Sequence, residues 1–530
     1  MQKQRLIVAG SVMSPRSAES LGNAVLVRDG RIVAIGQQKD FNTCSGVDIL
    51  DMGEAHLFPG FVESHAHLWW MGQLETQIDC GPSQNHSVKD ILQRVSEVAH
   101  RLPPGTWIQG HHWDDSLLAE GRPPTAEELT RAAPHHPVFL MHNSGHLAVA
   151  NREAFEIAGI DNRTDIPGIV HDGQGKLTGL LLEAMALESV SRHIPPPSQN
   201  EMMEQIRVAT ELCHRQGVTS CTDMALGLGG QESSVESIWR AYQAAEATGA
   251  LGVRTTCYVR IASPNTFIPP DPPTPFLTMN GVKLFSDGSI QGHTARLKEG
   301  YWDQPEEQGM LVQSQEELES MIHRYHTQGL QIAIHANGDQ AIETVIAAYY
   351  HALGLEGWSH RRHRIEHVQL AHPSDIRAMA RVGILPNFFI GHVYHWGDRH
   401  RDKFLGPHRA QDLDPLNTAY RQGIRFALHS DAPVTPINPL GSIATAVTRL
   451  TQGGQVLGPE QRIPLSAAWQ AYTIDAAYLG LREHLVGDIK EGLWADFAVL
   501  SENPLIQGPD VLGRTNVLRT LVAGETVWES

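Results

Sequence analysis

Long apolar runs are missing from this chain. Nowhere do roughly 18 consecutive apolar residues occur, which excludes a spanning helix. Residues 1–10 hold too short an apolar core for a secretory signal, so none is expected. Cysteine is scarce too. Five are present (Cys44, Cys80, Cys213, Cys221, Cys257), odd in number, scattered, and without a Cys-x-x-Cys pair. That excludes a disulfide framework and points to a reduced, cytoplasmic setting. Basic residues are outnumbered, 41 against 59 acidic, for a net charge of −18. Nucleic acid and anionic membranes are therefore not expected as partners, which leaves a small-molecule substrate and, as the expected assembly, a homodimer. There is no Gly-x-Ser-x-Gly elbow to support a serine hydrolase, and no internal repeat or low-complexity tract. Tyrosine is sparse as well, 10 against 29 histidines, so a histidine carries weight here only where its strand context is good.

What is present is a soluble globular composition, 41% apolar and 19% charged over 530 residues, long enough for a large core and an accessory domain. The two ends read as β-structure. Apolar runs flank Asp29-Gly30, a strong hairpin signal, and residues 496–500 and 518–528 are strand-like in the same way. Isolated hairpins are marginal in water. The ends are therefore expected to pack together as one β-sandwich over residues 1–58 and 485–530.

The middle alternates strands with helices. After a first strand ending at His67, strand-like runs occupy 217–223, 253–259, 281–285, 330–335, 363–367, 382–386 and 424–429. Eight such units predict an α/β fold, a distorted (β/α)8 barrel over 59–484 with its site at the carboxyl ends of the strands. The stretch between the first two strands is too long for a βα-loop. Residues 73–197 are read as an inserted subdomain, with Pro195-Pro196-Pro197 as its exit linker.

The chemistry begins at Pro59-Gly60-Phe61-Val62-Glu63-Ser64-His65-Ala66-His67. Residues i and i+2 of a strand share a face, so His65 and His67 project together. Later strand ends add Lys283, His335, His367 and Asp431. Histidine and carboxylate suit zinc, iron, manganese or nickel. Lysine does not: a protonated ammonium repels a dication. Taken alone, Lys283 reads as a solvated or salt-bridged side chain, and only capture by carbon dioxide as a carbamate would make it a bridging ligand. Asp431 is either a ligand and proton acceptor or the N-cap of the next segment. Trp69, Trp70, Trp113, Phe388, Phe389, Tyr394 and Trp396 are placed near the barrel mouth as an apolar pocket or as ordinary packing.

These residues, in order and combination, resemble the amidohydrolase superfamily of metal-dependent hydrolases. The closer likeness is to its amidohydrolase-3 group of YtcJ-like and N-substituted-formamide-deformylase-like proteins. The marks are the 59–67 segment, Lys283-Leu284-Phe285-Ser286-Asp287-Gly288-Ser289 and His335-Ala336-Asn337-Gly338-Asp339. They continue with Arg364-Ile365-Glu366-His367, Ser430-Asp431-Ala432-Pro433 and Glu491-Gly492-Leu493-Trp494-Ala495-Asp496. The resemblance implies metal ligation by His65, His67, carboxylated Lys283, His335, His367 and Asp431, with zinc expected, as one ion or a binuclear pair. It implies hydrolysis of an amide-type C–N bond, in an N-substituted formamide or a related small amide. Metal-bound hydroxide attacks, and Asp431 serves as general base and then acid. His146, Trp113, His293, Arg296, His392 and His395 are the expected substrate contacts. One departure is visible: Gly292-His293 precedes Thr294-Ala295 where the family usually has Ser-Arg. The alternatives are a deaminase of the same superfamily, disfavoured by Lys283 and by the lack of a glutamate after His335, or a regulatory, non-catalytic relative.

Overall fold

The apolar strands of the middle of the chain assemble, in this computed structural model, into one parallel sheet of eight. In spatial order they are Phe61–Ala66, Val218–Leu226, Arg254–Arg260, Leu277–Phe285, Gln331–Ala336, Arg364–His367, Leu385–Phe388 and Ala427–Leu428. Each pairs in parallel with the next. Strands covered on both faces should be apolar throughout, and every residue of Phe61–Ala66 and of Val218–Leu226 is buried. Among the described residues the last strand forms no ladder with the first. Instead, the Ser64 hydroxyl donates to Leu428 O at 3.0 Å, and beyond the strands Asp431 N–H donates to His65 O at 3.1 Å and His67 N–H to Ala432 O at 2.7 Å. The distorted (β/α)8 barrel is thus closed at its seam by the segment that carries the site.

The structure describes residues 4–530 apart from 17, 43–45, 83, 143–146, 228–234, 262–265, 267, 270–271 and 355–358. It divides into two units. The first comprises Met1–Leu68, Thr210–Leu228 and Ile238–Ser530; the second comprises Trp69–Ala209 and Gly229–Ser237. Among the described residues no helix is long and apolar enough to cross a membrane, and the four described cysteines are free and buried.

Within the first unit both chain ends contribute to a second sheet, one continuous eight-stranded array. Its order is Glu525–Glu529, Val517–Val522, Phe497–Leu500, His56–Pro59, Gln4–Met13, Ser20–Arg28 and Arg31–Gly36, with Asp48–Asp51 also paired to Gln4–Met13. The hairpin turns on Asp29 (φ 48°) and Gly30 (φ 76°). Positive φ at both central residues is the geometry that matches strand twist and favours Asp-Gly. Ile7, Val25, Leu57, Phe497, Val499 and Leu521 fill one core of this sheet. A buried bidentate pair ties it to the barrel: Arg254 Nε and Nη2 donate to Asp496 Oδ2 and Oδ1 at 2.6 and 3.0 Å.

The second unit has its own six-stranded sheet, ordered Ile169–His171, Leu177–Leu182, Leu147–Ala150, Val138–His142, Ile108–Trp113 and Ile78–Asp79. Helices such as Val88–Ala99 and Ala126–Ala132 cover it. Each starts with a capping box, Ser87/Asp90 and Thr125/Glu128, which satisfies the otherwise orphaned N–H groups. Two apolar clusters fill this unit, one around Ile91, Val95 and Leu140, the other around Phe139, Phe155 and Leu181.

Candidate metal centre and active site

Asp431 is the hub of the site. It lies just beyond the last strand at φ 55°, a left-handed conformation that costs energy in a residue other than glycine and collects at functional sites. Its Oδ1 is 3.2 Å from His65 Nε2 and 3.2 Å from His67 Nε2, and its Oδ2 is 3.9 Å from His367 Nδ1. Burial works against its charge, yet the imidazoles of His65, His67 and His367 hold the carboxyl well below the usual carboxylate range.

His367 ends its strand at φ 73°, followed by Val368 at φ 52°. Positive φ at a β-branched residue is rare. The bend leaves the His367 ring 5.0 Å from that of His65 and 4.4 Å from that of His335. His335 is largely but not wholly buried, and its imidazole is pushed down to about 3 by burial and the nearby Lys283. Its Nε2 lies 3.0 Å from Gly288 O. Lys283 is 1% exposed, its Nζ has no hydrogen-bond partner among the described residues, and burial pushes its amine down to about 8. The solvated or salt-bridged lysine is therefore not what is found.

Supporting residues that strand alternation did not single out surround this group. Glu366 accepts from Arg364 Nε at 2.5 Å and Nη2 at 3.0 Å, and from Asn387 Nδ2 at 2.8 Å. It is paired with His65 Nδ1 at 2.6 Å. A carboxylate on one ring nitrogen orients a histidine and leaves the other nitrogen for a ligand, here Nε2, which faces Asp431. Glu63, wholly buried and pushed up to about 8 by burial, accepts from the Ser430 hydroxyl at 2.9 Å and from the Ser430 and His65 N–H groups. It thereby anchors the loop that carries Asp431. His429 stacks on His65 at 4.5 Å, and neither of its ring nitrogens has a hydrogen-bond partner among the described residues. The readable signal was the i,i+2 spacing: Glu63 with His65, Arg364 with Glu366, and His429 with Asp431.

The donor set fits a divalent cation. Ligand atoms of His65, His367 and Asp431 lie within 4.8 Å of one another, and so do those of His65, Glu366 and His429. A cluster of buried imidazoles around one carboxylate, beside an amine with no hydrogen-bond partner, is the unsatisfied polar arrangement a cation would complete.

The expected substrate contacts fare unequally. His392 lies beside the centre: it is buried, its Nδ1 is 3.3 Å from Asp414 Oδ1, and its ring is 6.3 Å from that of His367. Phe389 packs between His392 and His429, with Trp396 edge-on to it at 5.9 Å. His395 sits next to Trp396, its imidazole lowered by burial. His293, at φ 55°, is engaged by Asp303 at 3.0 Å rather than by any residue of the metal cluster. Arg296 donates its backbone N–H to Asp287 and Nη1 to Gly309 O. Trp113 requires a correction. It has no exposed surface, its indole N–H donates to Leu140 O at 2.9 Å, and it packs within the second unit's core, where a large apolar ring recovers most by burial. His146 lies outside the described residues.

Comparison with known proteins bears on the family and the fold. The chain is 31% identical to the YtcJ protein of Bacillus subtilis (strain 168) over 520 residues, covering 96% of each. It is 28% identical to the N-substituted formamide deformylase of Arthrobacter pascens, covering 99% of this chain and 98% of that one. A solved structure from Pyrococcus horikoshii, described as an uncharacterized metal-dependent hydrolase, superposes with a TM-score of 0.79 at 24% identity, covering 96% of this chain and 99% of that one. The sequence model described as "Amidohydrolase family" matches residues 48–528, nearly the whole length, and the chain belongs to that family.

Proposed function

We propose that this protein is a metal-dependent hydrolase of an amide-type C–N bond, acting on an N-substituted formamide or a related small amide. The observation that carries the reading is the convergence of His65, His67, His367 and Asp431 at the carboxyl ends of the barrel strands, with Lys283 and His335 beside them. His65, His67, His335, His367 and Asp431 would hold the metal, and Lys283 would join them as a carbamate. Zinc suits these donors, as one ion or two. When bound, such an ion polarises a carbonyl and acidifies water.

The remaining work belongs to the chain. Asp431, ionised at neutral pH, takes the proton from the attacking water. The water oxygen bonds to the carbonyl carbon, the C–N bond breaks, and Asp431 returns the proton to the leaving nitrogen, releasing the amine and a carboxylic acid whose proton then passes to solvent. Glu366 keeps His65 in the orientation that presents Nε2. The Lys283 amine, pushed down to about 8, has an appreciable neutral fraction near neutrality, which is the form that combines with carbon dioxide.

The test is a panel of N-substituted formamides, small amides and N-acyl compounds offered to purified, metal-analysed protein. Amine release that is lost on chelation and restored by zinc is expected. Full turnover by protein stripped of metal would overturn the reading.

A further inference from the structure

The second unit carries another cluster of ligand-type side chains, Asp79, His111 and His112, at the adjacent ends of two parallel strands. Asp79 ends Ile78–Asp79 and is in register with His111 of Ile108–Trp113. Neighbouring residues of a regular strand point to opposite faces, so His111 and His112 should diverge. They do not. The ladder is irregular between Gly110 and Trp113, and His112 adopts φ 68°. A bulge of this kind re-aims a side chain. Here it brings the two imidazoles within 4.3 Å of each other, centroid to centroid, at 85°.

The hydrogen bonding of the cluster is that of a ligand set. His111 is 9% exposed, and its Nε2 is 2.9 Å from Leu74 O. A carbonyl can only accept, so Nε2 carries the proton and Nδ1 is left as a bare lone pair. That Nδ1 is buried with no hydrogen-bond partner among the described residues. A carbonyl on the far nitrogen is the usual support of a metal-bound histidine. Asp79 Oδ1 accepts from Gly81 N–H at 2.8 Å, which orients the carboxylate, and lies 3.9 Å from His112 Nδ1. Ligand atoms of all three residues lie within 4.8 Å of one another. Two donors on a tetrahedral zinc are about 3.4 Å apart, so small rotations of the half-exposed His112 and Asp79 close the difference. Cys80, next in sequence, is not part of the set: its thiol is buried, is directed at Ile78 O, and is pushed up to about 12 by burial.

We infer that Asp79, His111 and His112 form a second binding site for a divalent transition ion of the zinc class, separate from the barrel centre. Two imidazoles and one carboxylate are borderline donors that suit zinc, and they leave one coordination position open. Such an ion would clamp the end of Ile78–Asp79 to the bulge in Ile108–Trp113 and would offset the strain at His112.

The experiment uses full-length protein and zinc alone. Zinc content at saturating free zinc is measured for the parent, for His112→Gly, where glycine accepts the left-handed backbone without strain, and for Asp79→Ala, which removes the ligating oxygen. Crystals of the zinc-loaded parent are examined by anomalous diffraction at the zinc edge. Each variant should hold about one equivalent less zinc than the parent, with an unchanged rate of hydrolysis, and the parent should show an anomalous peak between the three side chains. Equal zinc content in the parent and His112→Gly, or a zinc-loaded parent with no peak there, would overturn the inference. Should a variant fail to fold, the anomalous map of the parent decides alone.

Discussion

Replacing Glu366 by glutamine isolates what the residues around the candidate metal-binding cluster do. The wild-type carboxylate accepts four hydrogen bonds, one at Oε1 from Arg364 Nε and three at Oε2 from Arg364 Nη2, His65 Nδ1 and Asn387 Nδ2. All of these groups donate, and an amide has only one accepting atom. If the glutamine nitrogen took the Oε2 position it would face three donors; at Oε1 it faces one. The second placement wins, so the variant keeps the His65 contact as a neutral hydrogen bond and leaves the buried Arg364 guanidinium without its counter-charge. Breaking a buried ion pair from one side costs about 3–5 kcal/mol, so thermal stability should fall. Weakening the partner behind a ligating histidine typically costs about 10- to 100-fold in metal affinity or activity. The assay is equilibrium dialysis against buffered zinc with metal analysis, together with kcat at saturating zinc. Zinc affinity should drop by that factor, and kcat should largely recover once the site is filled. A purely structural Glu366 would lower Tm without moving zinc affinity in the folded protein, and that result would refute the reasoning.

Three further expectations follow from the same geometry. Asp431→Asn keeps an oxygen for the metal but no proton acceptor, so it should retain metal while turnover falls by about 10²- to 10⁴-fold; near-normal turnover in a metal-replete variant would assign the proton to another group. Lys283→Ala should lose metal and activity together, and short carboxylic acids should partly restore both by standing in for a carbamate; a high-resolution map with an unmodified lysine in the active, metal-loaded protein would refute this. Asp475 is pushed up to about 6 by burial despite Arg425 at 3.7 Å. Between about pH 4 and pH 6 the folded state therefore binds more protons than the unfolded one, and stability falls as pH rises through that window, by roughly 3 kcal/mol in all. Asp475→Asn should match the parent near pH 4 and exceed it above pH 6, and a Tm difference that does not change with pH would exclude that role.

How much of this was legible depended on whether the physics is local. The eight barrel strands could be read because a strand buried on both faces is a short apolar run, and the hairpin because Asp29-Gly30 suits positive φ. His65 and His67 were legible from period-two alternation alone, and the amidohydrolase resemblance was needed to lift Lys283 out of the ordinary class of surface lysines. Glu366, Glu63 and His429 do not stand out in the same way, although each sits within two residues of a residue already singled out. Their roles depend on partners 301, 367 and 364 positions away in the chain: His65 for Glu366, Ser430 for Glu63, and Ser64 for the strand that delivers His429. Trp113 failed for the opposite reason. An aromatic residue at a strand end can serve a pocket or a core with equal propensity, and only the tertiary packing of the second unit decides for the core.

The same distinction explains where the strain lies. Positive φ occurs at eleven non-glycine residues among those described, His367, Val368, Asp431, His293 and His112 among them. Of these, His367, Val368 and Asp431 lie at the ends of two strands, where the bends re-aim the ligand-type side chains of His367 and Asp431 that a regular pleat would separate. A regular barrel presents only every second residue to its interior, and a metal cluster needs more donors at one level than that alternation supplies. Twisting the backbone at the strand ends provides them, and the cost is carried by the buried framework of Arg364, Glu366, Asn387, Glu63 and Ser430. On this argument, variants that weaken the framework should loosen metal binding before they unfold the barrel, because the strained residues depend on it most. His293 stands apart. It holds the position where the family resemblance leads one to expect an arginine, and Asp303 engages it at 3.0 Å. A charge that relatives could direct at substrate is replaced here by an imidazole already paired, so the substrate of this chain should depend less on a fixed cation at that position.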